Sequence, residues 1–113
     1  MELEAFELVM LRRPPDARHY DDETLDRIQR EHLAYNSALR DAGHVVTNGP
    51  VVDHVDESLR GITFYRTGSL DEARRLAEGD PAVVAGRLAV EVMRWYCPAG
   101  TMVRPGQAVQ QPD

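Results

Sequence analysis

Residues 3–12, LEAFELVMLR, alternate with the period of a β-strand, placing Phe6, Leu8 and Met10 on one side and Ala5, Val9 and Leu11 on the other. Apolar residues on both sides predict a sheet covered on both faces. Pro14 and Pro15 end the strand. Asp21 and Asp22 then offer N-caps, and Leu25, Ile28, His32, Tyr35 and Leu39 follow at spacings of three and four, the stripe of an amphipathic helix that closes at Gly43. A short strand, His44 to Thr47, is expected to stop at Asn48-Gly49-Pro50, with a polar loop from Val51 to Arg60. Gly61 to Arg66 is β-branched and aromatic, a third strand. Ser69 and Glu72 fit a capping box at the start of a second helix that Gly79 ends. Asp80-Pro81 begins one further helical turn, because Asp caps and Pro suits the first helical position. Leu88 to Tyr96 is the last strand, apolar on both faces.

The order is β-α-β-β-α-β. Right-handed crossovers in both halves predict an α+β, ferredoxin-like fold, a four-stranded antiparallel sheet with its helices on one face. The first and last strands nevertheless carry large apolar residues on the opposite face, and a second copy of the sheet is the simplest cover. A homodimer through the sheet face is therefore expected. The domain spans residues 1–97, and residues 98–113, rich in Pro, Gly and Gln, are expected to form an irregular tail.

Composition narrows the function. A length of 113 residues suits one domain, burying roughly 65% of the unfolded chain's surface. A net charge of -6 argues against nucleic acid and against anionic membranes. All thirteen basic residues are arginine, which excludes Schiff-base chemistry at a lysine and a phosphate-binding lysine. Cys97 is the sole cysteine, so no intrachain disulfide forms. There is neither a signal-peptide core nor an apolar run of about 20 residues, and the expected location is the cytoplasm.

Among the polar residues, His32 stands where the stripe calls for an apolar side chain. It reads either as a packed core histidine or as an acid/base group near neutral pH. Asp80 has the ordinary role of a helix cap. Gly49 would let a backbone N–H approach a ligand. His32, His44, His54, Asp53 and Asp56 match no metal-ligand spacing, and no metal or cofactor is expected.

Glu31-His32-Leu33, Asp41-Ala42-Gly43, Asn48-Gly49-Pro50, Gly68-Ser69-Leu70-Asp71-Glu72-Ala73, Asp80-Pro81 and Ala85-Gly86, in this order and spacing, resemble the YciI-like (YCII-related) proteins from the first strand to about Trp95. The acidic loop from Asp53 to Arg60 and the Pro-rich tail depart from the family pattern. The resemblance implies a dimeric α+β barrel and a cleft holding a His–Asp acid/base pair, which falls on His32 and Asp80. Tyr35, Gly49, Pro50 and Ser69 are the candidate ligand contacts. One relative of that family removes chloride from a hydroxylated aromatic ring. The expected activity is a cofactor-independent elimination or isomerisation on a small oxygenated cyclic or aromatic metabolite. The alternative is a non-catalytic small-molecule-binding or accessory module.

Overall fold

The computed structural model of the protein describes residues 1–102. Its elements are β1 (Leu3–Arg12), α1 (Asp22–Asp41), β2 (Val45–Pro50), β3 (Leu59–Tyr65), α2 (Leu70–Glu78), α3 (Pro81–Val84) and β4 (Ala89–Pro98). The strands form one antiparallel sheet in the order β2-β3-β1-β4, the ferredoxin-like arrangement. β1 and β4, the first and last strands, lie side by side in the sheet. Among the described residues no helix is long and apolar enough to cross a membrane.

Local chemistry sets the helix starts. The Asp21 carboxylate accepts from Thr24 N–H at 2.8 Å, and the Ser69 hydroxyl accepts from Glu72 N–H at 3.2 Å. Only that half of the expected capping box forms. Glu72 turns instead to Arg75 at 2.9 Å, and the Ser69 N–H donates to the Thr67 hydroxyl.

The core lies between the sheet and the helices, where Val9, Leu11, Val45 and Tyr65 meet Leu39, Ala73, Leu76 and Ala77. Each fully buried valine or leucine there contributes about 1.5–3 kcal/mol. On the opposite face Phe64 and Phe6 pack on Trp95 with ring centroids 5.0 and 6.3 Å apart, and Arg66 covers Phe6. Leu8, Met10, Ile62, Phe64, Met93 and Trp95 remain half-exposed there, because all of the helices sit on the other side.

β2 does not stop before Asn48-Gly49-Pro50 but runs through it, with Asn48 opposite Thr63 and Pro50 opposite Gly61. The reason is its place at the sheet edge, where a residue without an N–H leaves no ladder bond unmade. Gly61 permits a close backbone approach to β2. A Cβ at Gly61 would stand 3.1 Å from the Gly49 carbonyl oxygen. β4 extends past Tyr96 to Pro98, and Ala99 N–H donates to Glu2 C=O, so the first residues of the expected tail belong to the sheet. Residues 103–113 of that tail lie outside the described residues.

Candidate active site

His32 sits near the middle of α1, half-buried, one turn before Asn36. Asp80 stands 48 positions away in the chain, at the start of α3, and is 3% exposed. The fold brings the His32 Nδ1 to 2.6 Å from the Asp80 Oδ2. The same carboxylate caps α3 through its other oxygen, Oδ1, which accepts from Ala82 N–H at 2.8 Å. The two readings of Asp80 are therefore compatible, since each uses a different oxygen.

Asn36, which the sequence pattern did not single out, completes the arrangement. It is 3% exposed, and its amide donates to the His32 carbonyl at 2.9 Å and to Asp80 Oδ2 at 3.0 Å. Those two bonds use both amide hydrogens. The Asn36 nitrogen, 3.4 Å from His32 Nδ1, has no hydrogen left for it, and the Asp80 carboxylate beside Nδ1 favours the tautomer in which Nδ1–H donates to it. That tautomer leaves Nε2, which has no protein hydrogen-bond partner among the described residues, as the nitrogen free to exchange a proton. The available signal for Asn36 was its i, i+4 relation to His32 on one helix face.

The His32 ring forms part of the wall of a cleft of about 320 Å³ between α1 and the sheet. Gln29 and Leu33 of α1, Gly49 and Pro50 of β2, and the buried Thr63 and Leu11 of the sheet line it together with His32. Gly49 and Pro50 thus share the cleft with His32. Tyr35 and Ser69 lie outside its lining. The Tyr35 hydroxyl donates to Leu76 C=O at 2.8 Å, and burial, followed by the nearby Asp80 charge, holds its ionisation above the usual tyrosine range. Ser69 caps α2. Burial likewise raises the ionisation of Tyr65, with Tyr35 and Asp80 adding to it.

Two irregularities of the sheet border the cleft. The β1–β3 ladder pairs Leu11 with Gly61 and Arg12 with Leu59, leaving Arg60 without an opposite residue. The β2–β3 ladder skips Val46 in the same way. Such bulges interrupt strict alternation and redirect side chains. Asn48 and Arg60 both reach the cleft. The Asn48 side-chain oxygen accepts from Arg40. Arg13, just beyond β1, completes the polar lining, and burial followed by the charges of Arg87 and Arg60 lowers its pKa.

The remaining histidines considered in the sequence stand elsewhere. His54 accepts from Asp56 N–H within its loop, and His44 is exposed at the end of α1. Among the described residues no group of three or more His, Cys, Asp or Glu side chains converges as metal ligands do.

A family model described as YCII-related domain matches residues 7–96. Among solved structures, the chain is similar to 5-chloro-2-hydroxyhydroquinone dehydrochlorinase (TftG) from Burkholderia phenoliruptrix AC1100 in complex with 2,5-dihydroxybenzoquinone, with a TM-score of 0.57 and 23% identity over 80% of this chain and 92% of that one. At that identity the likeness shows the fold. No curated protein matches the chain.

Proposed function

The chain belongs to the YCII-related family, and from that premise we propose that it is a cofactor-independent acid/base enzyme acting by elimination or isomerisation on a small oxygenated cyclic or aromatic metabolite. The observation that carries this reading is the 2.6 Å contact between His32 Nδ1 and Asp80, which leaves Nε2 as the basic nitrogen at the wall of an open cleft. In this scheme Nε2 takes a proton from the substrate as the C–H electron pair moves into a new double bond. The imidazolium that forms is stabilised by Asp80. In an isomerisation the proton returns at another atom; in an elimination a leaving group departs with its own electron pair. The similarity to a dehydrochlorinase of a hydroxylated ring favours the same broad substrate class.

The test is a screen of small oxygenated aromatics and lactones against the wild type and His32→Ala in parallel. Positioned proton transfer contributes about 10²–10⁴-fold, and His32→Ala is expected to lose a factor of that size. Equal turnover in both proteins ends the proposal.

The same reading includes a homodimer that packs sheet on sheet, since Leu8, Met10, Ile62, Phe64, Met93 and Trp95 form an apolar face that the helices do not cover. Sedimentation at micromolar concentration is expected to give a dimer for the wild type and a monomer for Phe64→Asp. A monomeric wild type refutes this part alone.

A further inference from the structure

The cleft is cationic in a protein whose net charge is -6. Its lining contains two guanidinium groups, Arg13 and Arg60, and no aspartate or glutamate. Asp80 touches the imidazole from behind, outside that lining. Several arginines have acidic partners, Arg12 with Asp56 and Glu91, Arg66 with Glu4 and Arg75 with Glu72, whereas Arg18, Arg30, Arg40, Arg87 and Arg94 have none among the described residues; what distinguishes Arg13 and Arg60 is that both line one cleft. Among the described residues neither Arg13 nor Arg60 has a carboxylate within 4.0 Å.

Arg13 is half-buried, and its one side-chain hydrogen bond among the described residues is a long donation from Nε to Arg87 C=O at 3.5 Å. Arg60 reaches the same space from the bulged position in β3, the one residue of that stretch without a partner in β1. Asp26 borders the adjoining hollow with Arg13 and Arg87, and is not within salt-bridge distance of either. Burial, and then the charges of Arg87 and Arg60, lower the pKa of Arg13, so the guanidinium is held there at a cost that no counterion offsets. A bound anion supplies that counterion and satisfies the free guanidinium donors.

We propose that Arg13 and Arg60 form an anion subsite of this cleft, so that the ligand is a small cyclic compound bearing a carboxylate, held there while its ring lies toward His32. This rests on the acid/base reading for the identity of the site but not for the binding itself. Guanidinium groups suit the task because their fixed fork matches two carboxylate oxygens.

The experiment is calorimetric titration with 4-hydroxybenzoate and with its neutral near-isostere 4-hydroxybenzamide. The wild type is expected to bind the carboxylate about ten- to a hundredfold more tightly. Arg13→Gln and Arg60→Gln should each shrink that preference about tenfold while leaving amide binding unchanged, and added salt should weaken only the carboxylate. Arg60 is exposed, so Arg60→Gln decides the matter if Arg13→Gln does not fold. His32→Ala should keep the preference. If His32→Ala keeps full turnover in the screen while the preference depends on the arginines, the catalytic reading fails and the anion subsite stands. Equal affinity for acid and amide overturns the subsite, as does a preference that survives both glutamine variants. A failure of the wild type to bind 4-hydroxybenzoate also overturns it.

Discussion

Asp80 and Ser69 each cap a helix, and replacing both in turn by alanine separates the cost of a lost cap from the cost of dismantling a site. Ser69→Ala removes one bond, to Glu72 N–H. A lost cap costs about 1 kcal/mol, or a fall of about 4–8 °C in Tm for a domain of this size. Asp80→Ala removes the equivalent bond to Ala82 N–H and two more, from His32 and from Asn36. The Asn36 amide is then left with an unpaired donor in an environment 3% exposed, a further cost of about 1–3 kcal/mol. The His32 side chain is 14% exposed, so water replaces part of its lost bond and adds little to the sum. The total is about 2–4 kcal/mol, or about 8–32 °C. Asp80→Asn retains an oxygen to cap α3, but its amide hydrogens meet the N–H groups of His32 and Asn36. It should fall between the other two in stability and move the imidazole proton from Nδ1 to Nε2. Thermal unfolding at pH 7 gives the first comparison, and the ¹⁵N shifts of the imidazole give the second. The reasoning is refuted if Asp80→Ala melts no lower than Ser69→Ala, or if Asp80→Asn leaves the ring nitrogens unchanged.

Gly79→Ala tests a close packing beside the site, because a Cβ there would stand 2.5 Å from the Tyr35 hydroxyl oxygen. A loss of about 1–3 kcal/mol in urea unfolding is expected, largely relieved when Tyr35→Phe is added; a double variant no more stable than Gly79→Ala counts against steric conflict as the cause. Asp56 carries the acid sensitivity of the 51–58 loop. Its hydrogen bonds to Ser58, and then the Arg12 guanidinium, depress its pKa from the ordinary 3.8 to about 2. Because the folded value is the lower one, the stabilisation is complete above about pH 4 and is lost as the pH falls toward 2. Amide exchange at Ser58 and Leu59 should therefore accelerate within that interval, and acceleration completed above pH 4 contradicts the assignment.

Much of the architecture was legible because it is encoded over short stretches. The span of β1, the caps at Asp21, Ser69 and Asp80, and the order of elements follow from alternation, short-range hydrogen bonding and spacing along a few residues. The same local reasoning failed at Pro50, because whether a proline interrupts a strand depends on whether that strand lies at the sheet edge. It also missed Glu7, an acidic residue 2% exposed on the helix-covered face, where Thr67 supplies a backbone and a hydroxyl donor from 60 residues away.

The site divides along the same line. His32 was conspicuous because it interrupts an apolar stripe, and Asn36 follows it at helical spacing. Asp80 had a complete local explanation as a cap, and neither periodicity nor spacing indicates that its second oxygen meets an imidazole 48 residues away; family resemblance alone suggested the pairing. Nor did composition show that Arg13 and Arg60 flank one cleft without a counterion, since that follows from the end of β1 and a bulge in β3. Local chain chemistry sets which segments become helices and strands, because those interactions span only a few residues. Which charges become neighbours depends on how the completed layers pack, a long-range outcome that places ionisable groups in one cleft irrespective of their distance along the chain.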